Sequence, residues 1–361
     1  MAASQREAQQ AGCGCGCAED AAAPGLTRLV SYSLACDETR RDEHRRQFEL
    51  SLSSLRASNP RIAVVLFLHG PLAPEIAELC SRFGVMVHDQ GPYRDRLEAL
   101  LPHGGAAMVR YPVLHKSLNF AELAAVGAQQ VLCCDLDTVF FADVELLFDR
   151  YASADVVARE EVYSHRSLHG EDRSFMDEAL LQTLAVRLGR AFVPPINLGV
   201  VLYNHGVVAR LAALMPTFLD DAWRLMTGLT MSGFPNADAA GGASFPWMAD
   251  VRRHVSDGAR RRALPFPSSN GWIVEEVAWW LALGAVPGLS CADFSAQDVA
   301  QNGEVLSTPR DQAPWALCHY YSHNFERVVA WLGQPPSPAA RTPAHPTHQR
   351  RTNPSAATLE R

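Results

Sequence analysis

The sequence predicts an α/β fold: a doubly wound, mostly parallel central sheet flanked by helices, in a single domain between two tails. Three observations predict it. Residues 62–68 (IAVVLFL) form an unbroken apolar run, as expected of a strand buried on both faces of a parallel sheet. Residues 130–134 (QVLCC), apolar after Gln130, read as another buried strand. Between them the apolar spacing turns helical, and strands that alternate with helices define a doubly wound sheet.

The elements follow in order. Residues 29–33 (LVSYS) make a short first strand. A helix is expected from about 42 to 55, with Phe48, Leu52 and Leu55 on one stripe, and Asn59-Pro60 ends it. After the strand at 62–68, Pro74 opens a helix that runs to Phe83, and Val85-Met86-Val87-His88 is the next strand. A helix over 112–127 leads into 130–134. The second half is less regular: strands at 155–158 and 198–203, a helix from Val207 to about Met226, a short helix over 275–283, and a late strand at 316–320. The Gly/Ala/Pro-rich stretch 232–246 has little local preference and reads as a loop.

Composition sets the outer limits. The chain has 361 residues, enough for one large α/β domain. The expected division is a leader over 1–24, a folded domain over 25–333, and a Pro/Ala/Arg-rich tail over 334–361 that cannot bury a core. The formal charge of −7 offers no general attraction to nucleic acid or anionic lipid, so no nucleic-acid partner is expected. No run of about 18 apolar residues occurs, so no membrane span is expected. The N-terminus lacks a charged stretch followed by an apolar core, and the nine cysteines show no CxxC pair. The expected compartment is the cytoplasm, with thiols kept reduced.

The residues that carry chemistry lie where the 130–134 strand ends. There the chain reads Cys134-Asp135-Leu136-Asp137-Thr138-Val139-Phe140-Phe141. Two carboxylates at i and i+2, leaving a buried strand, can share one hard cation. Two negative charges in apolar surroundings are costly unless they are paired or metal-bound. Oxygen donors favour Mg²⁺ or Mn²⁺ over zinc. An Asp-x-Asp tripeptide alone also fits a capped turn, and its apolar frame is what tips the reading toward a metal.

The run CDLDTVFFADVELLFD resembles the metal-binding segment of GT-A (Rossmann-like) glycosyltransferases, and most closely that of family 8, the glycogenin and bacterial galactosyltransferase-like group. Further segments match in the family's order. Ile196-Asn197-Leu198-Gly199-Val200-Val201-Leu202-Tyr203-Asn204 resembles its "F-N-A/S-G-V-M-L-I-N" segment. Residues 272–280 (WIVEEVAWW) stand where the family has a "D-Q-D-x-L-N" helix. Leu317-Cys318-His319-Tyr320-Tyr321-Ser322 resembles its late "I-H-F/Y-x-G" segment, and Arg110 lies near the place of its donor-contacting arginine.

The resemblance implies a transfer of sugar from a nucleotide-diphosphate donor, UDP-linked by expectation, to a carbohydrate, lipid or protein acceptor. It implies Mn²⁺ or Mg²⁺ held by Asp135, Asp137 and His319. It places Arg110, Asp135, Asn197 and Gly199 against the donor, and Asn197 with Glu275 or Glu276 at the reacting sugar. Lys116, the only lysine in the chain, is a further donor-binding candidate. A compact ammonium serves a phosphate where arginine's broad fork does not. Family 8 enzymes retain the anomeric configuration.

The departures leave alternatives. The phosphate-binding lysine of the family's late segment is missing, and His323 rivals His319 for the metal. Glu275 or Glu276 as a base would make an inverting enzyme. A nucleotidyltransferase also uses paired carboxylates, but it needs a Gly-rich basic loop after the first strand, and the stretch after Ser33 has none. A non-catalytic sugar-binding module has no use for the aspartate pair.

Overall fold

The computed structural model describes residues 27–35, 40–100, 116–160, 196–204, 206–230, 275, 279 and 282–334. The strands are β1 (Arg28–Ala35), β2 (Ala63–His69), β3 (Met86–Asp89), β4 (Gln130–Cys134), β5 (Thr138–Phe140), β6 (Val156–Glu160), β7 (Ile196–Tyr203), β8 (Cys291–Asp293), β9 (Val299–Gln301) and β10 (Leu317–His319). The helices are α1 (Arg41–Ser58), α2 (Pro74–Phe83), α3 (Tyr93–Leu100), α4 (Phe120–Val126), α5 (Glu145–Arg150), α6 (Val207–Thr230), α7 (Asn302–Ser307) and α8 (Phe325–Leu332).

Seven strands form the main sheet in the order β3-β2-β1-β4-β7-β6-β8. The pairs β3–β2, β2–β1, β1–β4 and β6–β8 are parallel, while β7 runs antiparallel to both β4 and β6. Six strands therefore share one direction and β7 alone is reversed. The sheet is mostly parallel, as the apolar runs predict. Successive side chains point to opposite sides, and the inner strands β1, β2, β4 and β7 are buried on both faces, whereas β3 and β8 at the edges are partly exposed. Val30, Tyr32 and Leu34 of β1 pack with Phe48, Leu52 and Leu55 of α1 in one core. On β7, Leu202 joins that core, whereas Tyr203 stacks on Trp279 and meets the edge of Phe120. α2 follows its sequence signals closely, with Pro74 in its first turn and Gly84 closing it at φ 61°, a left-handed conformation that suits glycine.

The helix expected over 112–127 is shorter. Residues 112–115 lie outside the described part, Ser117–Asn119 form a 3₁₀ turn, and only Phe120–Val126 are α-helical. Ser117 and Asn119 are buried, and their side chains bond to Glu275 and Ser33. Short polar side chains with such partners compete with regular helix.

A second, three-stranded sheet, ordered β5-β10-β9, was not foreseen. Its strands have three residues each; β10 falls within the late strand expected at 316–320, while β5 and β9 are too short to show a period. Val139, Cys318, Tyr320, Trp315 and Trp331 form a separate small core around it. This sheet matters because β10 runs antiparallel to β5 with His319 opposite Thr138, the residue after Asp137. No helix among the described residues is long and apolar enough to cross a membrane.

Candidate functional site

The site forms where β4 ends. The Asp135 N–H donates to the Gly199 carbonyl (2.8 Å), which ties the exit of β4 to β7. The chain then turns into β5, and the Tyr320 N–H donates to the Asp137 carbonyl (3.1 Å). The two bonds set both aspartates beside β10. His319 Nε2 lies 3.3 Å from Asp137 Oδ1 and 3.6 Å from Asp135 Oδ2. One ligand atom from each of the three residues lies within 4.8 Å of the others.

Their electrostatics are those of a compact acid cluster. Burial opposes the charged forms of both Asp137 and His319, but each favours the other's charge. The Asp137 carboxyl is held below its ordinary value by the imidazole and by the Ser322 hydroxyl, which donates to Oδ2 (3.0 Å). The imidazole is in turn raised by Asp137 and Asp135. Two carboxylates and one imidazole suit a divalent cation. The three residues could hold a divalent metal ion.

Lys116 reaches the same cluster. Its Nζ is 2.9 Å from Asp135 Oδ1, 3.8 Å from Glu275 Oε2, and donates to the Leu198 carbonyl (3.2 Å). Burial works against its charge, but Asp135 and Glu275 win and raise its pKa. Glu275 is buried behind it and accepts from the hydroxyl (3.0 Å) and N–H (3.3 Å) of Ser117. Burial pushes the Glu275 carboxyl up to about 7, against the pull of Lys116.

β7 supplies the last wall. Asn197 Oδ1 accepts the Gly199 N–H (2.9 Å) and lies 3.1 Å from His319 Nδ1. The His319 ring rests on Gly199, where any Cβ would collide with the imidazole, so glycine is required by close approach rather than by φ.

The structure therefore brings together Lys116, Asp135, Asp137, Asn197, Gly199, Glu275 and His319. It places Asn197 against His319 and the Gly199 N–H, and Glu275 behind the lysine. Arg110, Glu276 and the loop 232–246 lie outside the described residues. His323 is bonded to its neighbour Asn324 (3.0 Å) and stands apart from the acid cluster. Ser117, Tyr321 and Ser322 were not singled out from the sequence. Ser322 had a signal, since it occupies the glycine position of the late segment it resembles.

No family model matches the chain, and no curated protein does. Among solved structures, the chain is similar to mouse xyloside xylosyltransferase 1 in its apo form, at 11% identity over 81% of this chain and 97% of that one, with a TM-score of 0.43. The galactosyltransferase LgtC, in complex with donor and acceptor sugar analogues, is similar at 11% identity over 85% and 97%, with a TM-score of 0.42. The glycosyltransferase GlyE of Streptococcus pneumoniae TIGR4 is similar at 12% identity over 85% and 61%, with a TM-score of 0.39.

Proposed function

We propose that this chain is a GT-A glycosyltransferase that moves a sugar, with retention, from a nucleotide-diphosphate donor to an acceptor hydroxyl in a reaction that depends on Mn²⁺ or Mg²⁺. The donor is expected to be UDP-linked. One observation carries the reading. Three segments that resemble family 8 motifs in sequence, around 135, 197 and 319, meet at one point with Asp135, Asp137 and His319 in ligand range of one another.

In this reading Asp135, Asp137 and His319 hold the divalent ion, whose contribution when bound is to offset the charge of the diphosphate leaving group. Lys116 stands beside it as a second cation, of the charge that pairs with phosphate. Glu275, fastened by Ser117, keeps that ammonium in place. The same fastening argues against Glu275 as the base of the inverting alternative, because a base must reach the acceptor proton and Glu275 is buried with Oε1 engaged.

A thermal-shift screen of nucleotide sugars with and without Mn²⁺ tests the reading. A donor at about 100 times its Kd adds roughly 2.7 kcal/mol, which is readily seen. Stabilisation by a UDP-sugar only when Mn²⁺ is present is the expected result. No response to any nucleotide sugar with metal would sink the proposal. The anomeric configuration of the product, read by NMR, then separates retention from inversion.

A further inference from the structure

The atom of Asn197 that lies 2.9 Å from the Gly199 N–H must be its oxygen, because a backbone N–H only donates. This settles the amide's orientation without appeal to a side-chain partner. The same oxygen lies 3.1 Å from His319 Nδ1, so Nδ1 must carry a proton. A neutral imidazole has one N–H, and Nε2 is left with its lone pair, 3.3 Å from Asp137 and 3.6 Å from Asp135. The other end of the amide, Asn197 Nδ2, donates to the Tyr321 hydroxyl (3.3 Å). The Tyr321 ring also meets His319 edge-on at 4.8 Å. Tyr321 has φ +52°, and among the described residues it is the only non-glycine with positive φ. A bulky residue in that region is strained, and such strain persists only where its surroundings hold it. Here it turns the phenol back onto Asn197 and the imidazole.

We propose that Asn197 and Tyr321 are positioning residues that hold His319 as the tautomer protonated on Nδ1, so that Nε2 is the ring atom offered to a cation between Asp135 and Asp137. The proposal deepens the transferase reading, and rests on it only for the cation. Asn197 then acts through His319 rather than on the sugar. Partners of this kind fix ring orientation, and their loss weakens metal binding about 10- to 100-fold.

The test has two parts, both on the full chain. A two-bond ¹H–¹⁵N spectrum of the metal-free protein at alkaline pH, where the ring is neutral, reports which nitrogen carries the proton. His319→Gln locates the signal among the 13 histidines. Protonated Nδ1 is expected, and protonated Nε2 overturns the proposal. Mn²⁺ alone is then titrated by the EPR signal of the free ion. Asn197→Leu should weaken Mn²⁺ binding about tenfold or more. Asn197→Asp, which keeps the acceptor and lets the Tyr321 hydroxyl donate to it, should stay near wild type. Tyr321→Phe should fall between them. Equal affinity in wild type and Asn197→Leu overturns the proposal. A wild-type chain that binds no Mn²⁺ counts against the transferase reading, while the spectrum of the metal-free chain still decides the tautomer.

Discussion

Lys116 Nζ stands 2.9 Å from Asp135 Oδ1, so the chain's only lysine neutralises a carboxylate of the candidate metal cluster. The two cations repel, yet both attract phosphate. Lys116→Met should therefore tighten binding of Mn²⁺ alone while weakening binding of a nucleotide sugar in saturating Mn²⁺. Lys116→Arg should not restore donor affinity, because a planar fork does not fit where a point charge sits. Isothermal titration of metal and donor separately checks this. Losses in both would mean that Lys116 only supports the fold.

The two late histidines differ in placement, and so should their mutants. His319→Ala should weaken Mn²⁺-dependent donor binding by at least about tenfold, or about 1.4 kcal/mol. His323→Ala, whose ring bonds Asn324 instead, should change it less than about threefold. EDTA should abolish turnover and Mn²⁺ restore it. The reverse order of the two mutants would put the metal site at the wrong histidine.

Glu275 sets a pH dependence of stability. Its carboxyl is pushed up to about 7 in the folded chain from an ordinary 4.5, so the native state keeps a proton that the unfolded state has lost. Its contribution is complete below about 4.5 and is lost as pH rises through about 7. His319, raised above 6.5, acts in the same direction at the upper end of that window. Asp137, lowered from 3.8, acts only below it. The melting temperature of the metal-free chain should fall as pH rises from 5 to 8, and Glu275→Gln should flatten the slope. Mn²⁺ should restore more stability at pH 8 than at pH 5, since the imidazole must be neutral to bind it. A wild-type slope unchanged in Glu275→Gln would assign the effect elsewhere.

Gly199→Ala puts a methyl group into the His319 ring. Overpacking of this kind costs about 1–3 kcal/mol, and here the ring is the part that must give way. The variant should melt lower and bind Mn²⁺ more weakly, and circular dichroism with a Mn²⁺ titration measures both. Unchanged metal affinity would show that the ring has room to shift.

The sequence by itself determined the frame and half of the site. The run at 62–68 and the span 130–134 were legible as strands because burial on both faces leaves a continuous apolar string. The helix from Pro74 to Phe83 was legible because proline and glycine mark its ends. Asp135 and Asp137 were legible because carboxylates leaving such a strand are costly without a counter-charge. The residues around them depended on contacts between distant parts of the chain. β5 and β9 are three residues long, and strands that short have no local pattern; β10 falls within the late strand expected at 316–320, but only its pairing with β5 places His319 beside Asp137. The pairing of Ser117 with Glu275 spans 158 positions, and that of Ser322 with Asp137 spans 185. The turn at Tyr321 looks like any tyrosine in sequence, because its positive φ comes from the partners that hold it. Local periodicity records which face of an element is buried, whereas the partner of a buried polar group is chosen by tertiary packing.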